Sequence, residues 1–249
     1  MIGKRKVEAE RWFRQAYYDL EAARWNIKGG FNDAACFLAQ QAGEKALKSI
    51  LYYLGARRTA LLTHSLVEMI RETGKHVTFL ALHLFDQLRE LHHLGEKERS
   101  WLSAASLLHD IGWVEGWRGH HKTSLRIILE TPMLPFSSKE RLIVGSIARY
   151  HRKGLPRRSH DNLAALGKAD QSIVLKLAAF LRLANSLDLD HRSLVRNVNC
   201  KVSEDQITVY CEVDQPAEDE LMAAVERADL LAKVFHKKIS LQMQPPPPN

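Results

Sequence analysis

Apolar residues recur every three or four positions through most of this sequence, which is the spacing that gives a helix one buried face. The pattern begins near Glu8 and continues to about Asp190, interrupted by short segments rich in Gly, Pro or Ser. A chain patterned in this way offers no large sheet around which to fold. The sequence therefore predicts a mainly α protein built from packed amphipathic helices.

The spacing changes after Arg196, where the apolar residues begin to alternate. This alternation predicts two antiparallel strands joined by a turn at Glu204 and Asp205. The six apolar residues of the hairpin would share one face, paired as Val202 with Ile207, Cys200 with Val209 and Val198 with Cys211. A final amphipathic helix is expected next, with a stripe formed by Leu221, Val225, Ala228, Ala232, Phe235 and Ile239.

These changes in pattern divide the chain into four predicted parts. Residues 1–74 form a helical N-terminal module that ends near Gly74, and residues 75–196 form a helical bundle. Residues 197–241 contain the hairpin and the last helix, which complete this second region, and residues 242–249 are a Pro-rich tail. The predicted fold class is mainly α, with two helical parts followed by a C-terminal β-hairpin and helix.

Charge and cysteine content limit the partners and the compartment. The formal net charge is +7 at pH 7, which favours anionic partners such as phosphates, nucleotides or nucleic acid. The three cysteines form no CxxC pair, as is usual in reduced cytosolic proteins. The sequence starts without an apolar export segment, and no run of about 18 apolar residues could cross a membrane. We therefore expect a cytoplasmic protein without membrane contact.

A polar pair interrupts an apolar run at LLHDIG, where His109 and Asp110 are adjacent. A neutral imidazole and a carboxylate are both good ligands for a divalent metal, and Gly112 would release the backbone so that both could reach one ion. Their burial would otherwise cost several kcal/mol unless each group found a partner. Backbone and cap hydrogen bonds are such partners, so the pair alone leaves a structural role open.

Further candidate metal ligands follow at the edges of later helices. They are His120, His121, His151 and Asp188. Helical bundles build metal sites in this way, with side chains contributed by separate helices. A metal there would lower the pKa of a bound water and polarise a phosphoryl oxygen, which gives hydrolysis without a Ser or Cys nucleophile. The residue types do not distinguish among Mn, Mg, Fe, Zn and Ni.

Cations are concentrated around these candidate ligands. The candidate phosphate-binding residues are Arg149, Arg152, Lys153, Arg182 and Arg192. Arginine side chains match the geometry of phosphate oxygens, which favours an anion pocket. A solvated charged loop is the alternative interpretation of the same residues.

At these residues the chain from about Val77 to Leu241 resembles the HD superfamily of metal-dependent phosphohydrolases. More narrowly, it resembles the C-terminal HD-like region of the exopolyphosphatase and guanosine pentaphosphate phosphatase family. The segments that carry the resemblance are LALHLFDQLRELHHLG, AASLLHDIG, GHHKTS, FSSKERLIVGSIARYHRKGLP and LRLANSLDLDHR. The resemblance implies an HD-type helical bundle with one or two divalent ions. The ligands that it implies are His109, Asp110, one of His120 and His121, and His151.

Two positions depart from the HD pattern. Its first histidine corresponds to Thr73, and its closing aspartate corresponds to Asn185, which leaves Asp188 one turn further on as a substitute. Asp110 and Asp188 are then the candidate catalytic carboxylates. Nothing here resembles the actin-like domains that hold the main catalytic machinery of that phosphatase family, so polyphosphatase activity does not follow from the resemblance.

The N-terminal part resembles a HEPN domain, a helical module of prokaryotic nucleotide-binding and toxin-related proteins. The matching segments are WFRQAYYDLEAARWNIKGGFNDAACFLAQQAGEKALKSILYYLG and THSLVEM. HEPN nucleases carry an arginine and, a few residues later, a histidine, and Arg58 with His64 has such a spacing. The N-terminal helices are also a candidate surface for a homodimer.

Three functions follow from these interpretations. The first is an HD-type metal-dependent phosphohydrolase that acts on a phosphoanhydride or nucleotide. The second is a regulatory module that binds polyphosphate or a nucleotide in a degenerate HD site without turnover, as Thr73 and Asn185 would favour. The third is a HEPN ribonuclease that uses Arg58 and His64. Nucleic acid is the less favoured partner, because only Tyr150 supplies an aromatic ring in the basic loop.

Overall fold

The computed structural model describes residues 2–53, 64–116, 118–132, 134–189 and 192–245. These residues form helices, one 3-10 turn and a small sheet, and the mainly α fold class is confirmed. The helices are α1 (Ile2–Lys28), α2 (Asn32–Tyr53), α3 (His64–Gln87), α4 (Arg89–His92), α5 (Glu96–Leu108), α6 (His120–Glu130), α7 (Ser138–Arg149), α8 (Asp161–Ala164), α9 (Lys168–Ser186), α10 (Glu218–Arg227) and α11 (Asp229–Phe235). The 3-10 turn is Ile111–Glu115, and the strands are β1 (Val195–Val202), β2 (Gln206–Val213) and β3 (Lys238–Gln244). None of the described helices is both long and apolar enough to span a membrane.

The chain divides into two compact units. The first comprises Met1–Arg71 with Thr131–Pro135, and the second comprises Glu72–Glu130 with Phe136–Asn249. In the first unit, α1 and α2 pack against each other through small side chains. The buried alanines are Ala9, Ala16 and Ala23 of α1 and Ala35 and Ala42 of α2. Because alanine recurs every second turn, the two helix backbones can approach closely along one stripe.

The core of the second unit lies between α3, α5, α7 and α9. Leu102 of α5, Ile143 of α7 and Phe180 of α9 are fully buried, and the rings of Phe180 and Phe85 meet edge to face with centroids 6.0 Å apart. Each such side chain contributes about 1.5–3 kcal/mol when it leaves water. The ends of α5 and α7, together with the start of α6, position the candidate metal ligands.

Gly74 lies inside α3 and does not end a helix. A Cβ atom at this position would lie 3.1 Å from the carbonyl oxygen of Leu107. The glycine therefore permits close contact between α3 and α5. The Thr78 hydroxyl donates a hydrogen bond of 2.5 Å to the Gly74 carbonyl oxygen of the same helix.

The predicted hairpin is confirmed in its register. β1 and β2 are antiparallel, and the partners are Val202 with Ile207, Cys200 with Val209 and Val198 with Cys211. The structure adds a strand that the sequence analysis missed, because β3 pairs in parallel with β2 and places Ile239 opposite Ile207.

The prediction of one last helix that continues to Ile239 is wrong. α11 ends at Phe235, because His236 adopts the left-handed conformation with φ of 53°. The predicted stripe is also displaced, since Val225 is 60% exposed and the neighbouring Ala224 is fully buried. The alternation of Ile239, Leu241 and Met243 is the period-two signal of a strand.

We predict that Ser137→Ala destabilises the second unit by about 1 kcal/mol, because Ser137 caps α7. Its side chain accepts a hydrogen bond from the Glu140 N–H, and Glu140 in return accepts one from the Ser137 N–H. Thermal unfolding of the full chain is the measurement. Ser138→Ala, one residue further on, is the matched control and should change the melting temperature less. An equal effect of both changes would contradict the capping role.

Candidate metal centre

Asp110 and His109 are positioned by the junction between α5 and the 3-10 turn. α5 ends at Leu108, His109 still has helical dihedral angles, and Asp110 precedes the turn. Both side chains are buried, with His109 1% and Asp110 7% exposed. The abrupt end of α5 therefore turns two adjacent polar side chains into the interior of the second unit.

Two more histidines meet Asp110 from other helices. His120 is the first residue of α6, and His151 follows the end of α7. The Asp110 Oδ1 atom lies 3.0 Å from His120 Nε2 and 3.4 Å from His151 Nε2, and these two nitrogens are 3.3 Å apart. On its other side, Asp110 Oδ2 lies 3.3 Å from His109 Nε2. Four buried groups from three parts of the chain therefore converge on one point.

Backbone carbonyls orient two of the rings. His109 Nδ1 is 2.6 Å from the Ser106 carbonyl oxygen, and His151 Nδ1 is 2.7 Å from that of Ala148. A carbonyl only accepts, so both Nδ1 atoms carry the proton that they donate. In the neutral rings the Nε2 lone pairs then face the Asp110 carboxylate. Lone pairs and a carboxylate at such distances repel one another unless a cation lies between them, and metal-binding histidines show this same backbone support.

The charges of the cluster reinforce one another. Burial alone would raise the pKa of Asp110, but the adjacent His109, with His120 and His151, holds it far below its ordinary value. Burial lowers the pKa of His109, yet Asp110 outweighs this effect and the pKa is raised overall. Burial, followed by the charge of His109, lowers the pKa of His151 well below its ordinary value. The cluster therefore contains an ionised carboxylate and at least one neutral imidazole near neutral pH.

Close backbone contact holds the 3-10 turn against α6. The Ser124 hydroxyl donates a hydrogen bond of 2.6 Å to the His109 carbonyl and accepts one of 3.0 Å from the Gly112 N–H. A Cβ atom at Gly112 would lie 2.1 Å from the His120 carbonyl oxygen and 2.7 Å from the Ser124 nitrogen. Only glycine therefore allows the turn that carries Asp110 to approach the helix that carries His120.

The residue types and their arrangement fit a divalent metal. In the described parts of the chain, one group of three or more His, Cys, Asp or Glu side chains could hold an ion, and it consists of Asp110, His120 and His151. Their ligand atoms lie within 4.8 Å of one another. His109 joins them through its contact with Asp110. Imidazole and carboxylate ligands suit Zn, Fe, Mn and Ni, so the metal is not identified by the donor set.

A cavity of about 180 Å³ opens beside the cluster. Its lining includes Asp110, Trp113, His151, Arg152, Asn185 and Arg227. Arg152 belongs to the loop after α7, and its Nη1 atom lies 3.5 Å from His120 Nε2. Arg227 is the last residue of α10. The sequence analysis missed Arg227, because nothing in the local pattern of α10 indicates that its C-terminal end faces residues more than a hundred positions away.

The other candidate ligands, His121 and Asp188, are not part of the group formed by Asp110, His120 and His151. His121 is buried and forms the wall of a different pocket, and burial together with His120 and nearby cations lowers its pKa to about 4. Asp188 is also buried, but its Oδ1 atom accepts a hydrogen bond of 2.8 Å from the Ser193 N–H. Asn185, where the HD pattern has an aspartate, interacts through its side chain with the His109 ring. The side chain of Thr73 is outside the described residues.

The candidate phosphate-binding residues do not all line the cavity. Arg152 lines the cavity, whereas Arg149 donates a hydrogen bond of 2.9 Å to the Asn162 side chain. The buried Arg182 donates one of 3.1 Å to Asp229. Lys153 and Arg192 are exposed.

Of the candidate ribonuclease pair, only the backbone of His64 is among the described parts of the structure. Arg58 lies outside the described residues. His64 is the first residue of α3, but its side chain is outside the described part of the structure.

Fold and site together define a mainly helical protein with a buried His–Asp cluster of metal-ligating residue types. A comparison with protein families matches residues 57–233 to the Ppx/GppA phosphatase, domain III, and the chain belongs to this family. The HEPN domain model matches residues 9–100. The resemblance to the exopolyphosphatase and guanosine pentaphosphate phosphatase family and the resemblance to a HEPN domain are thereby confirmed. A search of curated proteins found no match. The family relation points to a phosphatase-related function and a phosphate-containing ligand.

We predict that Gly112→Ala disrupts the cluster, because the added methyl group would force the 3-10 turn away from α6. Overpacking of this kind costs about 1–3 kcal/mol. The measurements are thermal stability and the metal content of the purified protein, and both should fall. Gly43→Ala is the control, since nothing lies within 4 Å of a Cβ atom there and α2 should gain stability. Unchanged metal content in Gly112→Ala would contradict the role given to this contact.

Proposed function

We propose that the protein is a metal-dependent phosphohydrolase that acts on a phosphoanhydride or a nucleotide. The observation that carries the proposal is the convergence of the buried Asp110, His120 and His151 on one point, with ring nitrogens turned towards a carboxylate. These three residues would hold one divalent ion, and His109 would support Asp110 from its other side. A divalent ion bound there would supply Lewis-acid and water-activating chemistry.

The cavity residues would bind and orient the phosphoryl group. Arg152 and Arg227 line the cavity beside Asp110, and both carry charge that phosphate oxygens would neutralise. Burial lowers the pKa of Arg152, Asp110 raises it and Arg227 lowers it again, so the three charges act on one another. The Trp113 ring forms an apolar part of the same wall, which reduces access of water to the site.

We further propose that Asp188 has a positioning role. Its carboxylate holds the backbone at Ser193, and it is not among the residues that line the cavity. The loop between α9 and β1 would depend on this contact. Of the two carboxylates predicted as catalytic from the sequence, Asp110 is then the one that acts at the metal.

A phosphate-binding module without turnover is the second candidate. Asn185 favours it, because a neutral amide faces the cluster where the HD pattern has an aspartate. In this case the cations around the cavity would hold the phosphorylated ligand without hydrolysis.

Elemental mass spectrometry of the purified full chain tests the metal centre. We expect about one equivalent of a divalent metal in the wild type and a loss of at least ten-fold in Asp110→Asn, because removal of a ligand charge weakens the site. Asp188→Asn is the matched control, since it also changes a buried carboxylate, and it should retain the metal. A wild type that neither contains nor takes up Mn, Fe, Zn or Ni would contradict the proposal.

Phosphate release from pyrophosphate, tripolyphosphate and nucleoside triphosphates then separates the two candidates. Turnover in the metal-loaded wild type, with a raised KM in Arg227→Gln, is the result expected for the phosphohydrolase. Saturable ligand binding without turnover in the metal-loaded protein would support the binding module.

We also propose that the first unit forms a homodimer through α1 and α2. Large apolar side chains on these helices are more than half exposed within the described structure, namely Tyr17, Tyr18, Trp25, Ile27 and Phe37. Exposed apolar patches of this kind mark interaction surfaces. Light scattering of the full chain should give twice the monomer mass, and Trp25→Glu with Phe37→Glu should lower it. Met222→Glu, which changes an exposed apolar residue of the second unit, is the control and should leave the mass unchanged.

A further inference from the structure

A second pocket of about 210 Å³ lies in the second unit, next to the cavity of the metal centre. Its lining residues are His121, Lys122, Arg149, Tyr150, Arg152, Gly154 and His160. Three of them are permanent cations and two are histidines, and none is acidic. Its volume is several times the roughly 30 Å³ of one water molecule, so it has room for a small hydrated ion.

Neutral partners hold three side chains of this pocket, Arg149, Tyr150 and His160. Arg149 donates to the Asn162 side chain, and its guanidinium lies 5.6 Å from the centre of the Tyr150 ring. The Tyr150 hydroxyl is 2.7 Å from His160 Nδ1. No ion pair between described residues involves Arg149 or Lys122. Arg149 and Lys122 are therefore positioned without a carboxylate partner among the described residues.

His121 supplies an independent sign of a ligand. The ring is 8% exposed, it forms part of the pocket wall, and its Nδ1 atom has no hydrogen-bond partner within the described structure. A buried polar atom left without a hydrogen-bond partner destabilises the folded state. His121 and Lys122 also belong to the first turn of α6, where the helix dipole favours an anion.

The field at the pocket is positive. Burial lowers the pKa of His160, and the charges of Arg149 and Arg157 lower it further. The same cationic charges that lower the pKa of His160 would stabilise an anion in the pocket.

We infer that this pocket binds a tetrahedral oxyanion, a phosphate or the terminal phosphoryl group of a longer ligand, and that it does so without a metal. Arginine, lysine and histidine N–H groups supply the charge-assisted hydrogen bonds that such an anion requires. Arg152 lines both this pocket and the cavity of the metal centre, so an anion in the pocket lies beside the cluster without contact to Asp110. The inference does not rest on the proposed hydrolysis.

Titration calorimetry of the chelator-treated full chain with inorganic phosphate is the test. We expect saturable binding in the wild type and about ten-fold weaker binding in Lys122→Gln, because one charge-assisted hydrogen bond is lost. Arg126→Gln is the matched control, since it removes a cation from an exposed position of the same helix where Arg126 pairs with Glu115 and Glu130. Its phosphate affinity should equal that of the wild type.

Two further comparisons separate this site from the metal centre and identify the source of the anion. Asp110→Asn should lose metal but keep phosphate affinity. Tripolyphosphate that binds no tighter than phosphate would identify free phosphate as the ligand, and tighter binding that is weakened by Lys122→Gln would identify the end of a longer chain. Phosphate binding that is absent from the chelated wild type, or equally weak in Lys122→Gln and Arg126→Gln, would overturn the inference.

Discussion

The interaction of the buried Asp110 carboxylate with three imidazole rings is the constraint on which the centre of the second unit depends. A carboxylate removed from water without compensation costs several kcal/mol. Here the rings of His109, His120 and His151 surround it within 3.4 Å. Two of these rings donate their Nδ1 protons to backbone carbonyls, so the compensating positive charge has to lie on the Nε2 side. Protons or a metal ion can supply this positive charge on the Nε2 side of the rings. The buried cluster requires either the protons or the metal ion for its stability.

The fold supports this cluster by ending helices at its boundary. α5 ends before His109, α6 begins with His120, and α7 ends two residues before His151. Helix ends leave backbone N–H and C=O groups without intrahelical partners, and these groups can orient the rings. The Ser106 and Ala148 carbonyls do so directly. The polar side chains of the cluster thus lie at helix ends, where backbone N–H and C=O groups have no intrahelical partner. The apolar faces of the same helices form the core.

The sequence predicts the parts of this structure that depend on local pattern. The 3.6-residue period predicts the helices, and strict alternation predicts the register from Val198 to Cys211, because both reflect which face is buried. LLHDIG predicts the buried pair, because a polar dipeptide in an apolar run needs partners. Two features of the site depend on contacts between residues that are far apart in the sequence, and no local pattern predicts such contacts. His120 rather than His121 faces Asp110 because of the close approach of Gly112 to α6, and Arg227 reaches the cavity from α10. β3 was missed because a helical stripe was extended across a segment whose own period is two.

The balance of charge at the two neighbouring pockets depends on Asn185, which stands where the HD pattern has an aspartate. With an amide at that position, Asp110 is the carboxylate among the residues that line the cavity, and Arg152 and Arg227 are its cations. One carboxylate with two neutral imidazoles provides one negative charge for a divalent ion, which is less than a second ion would require. Under the proposed function, an anionic ligand would satisfy the remaining positive charge of the site and its rim. Because Arg152 lines both pockets, a ligand with two phosphoryl groups would place one on each side of this side chain. Under the proposed function, an amide in place of an acidic ligand would favour a phosphorylated ligand over a second metal ion.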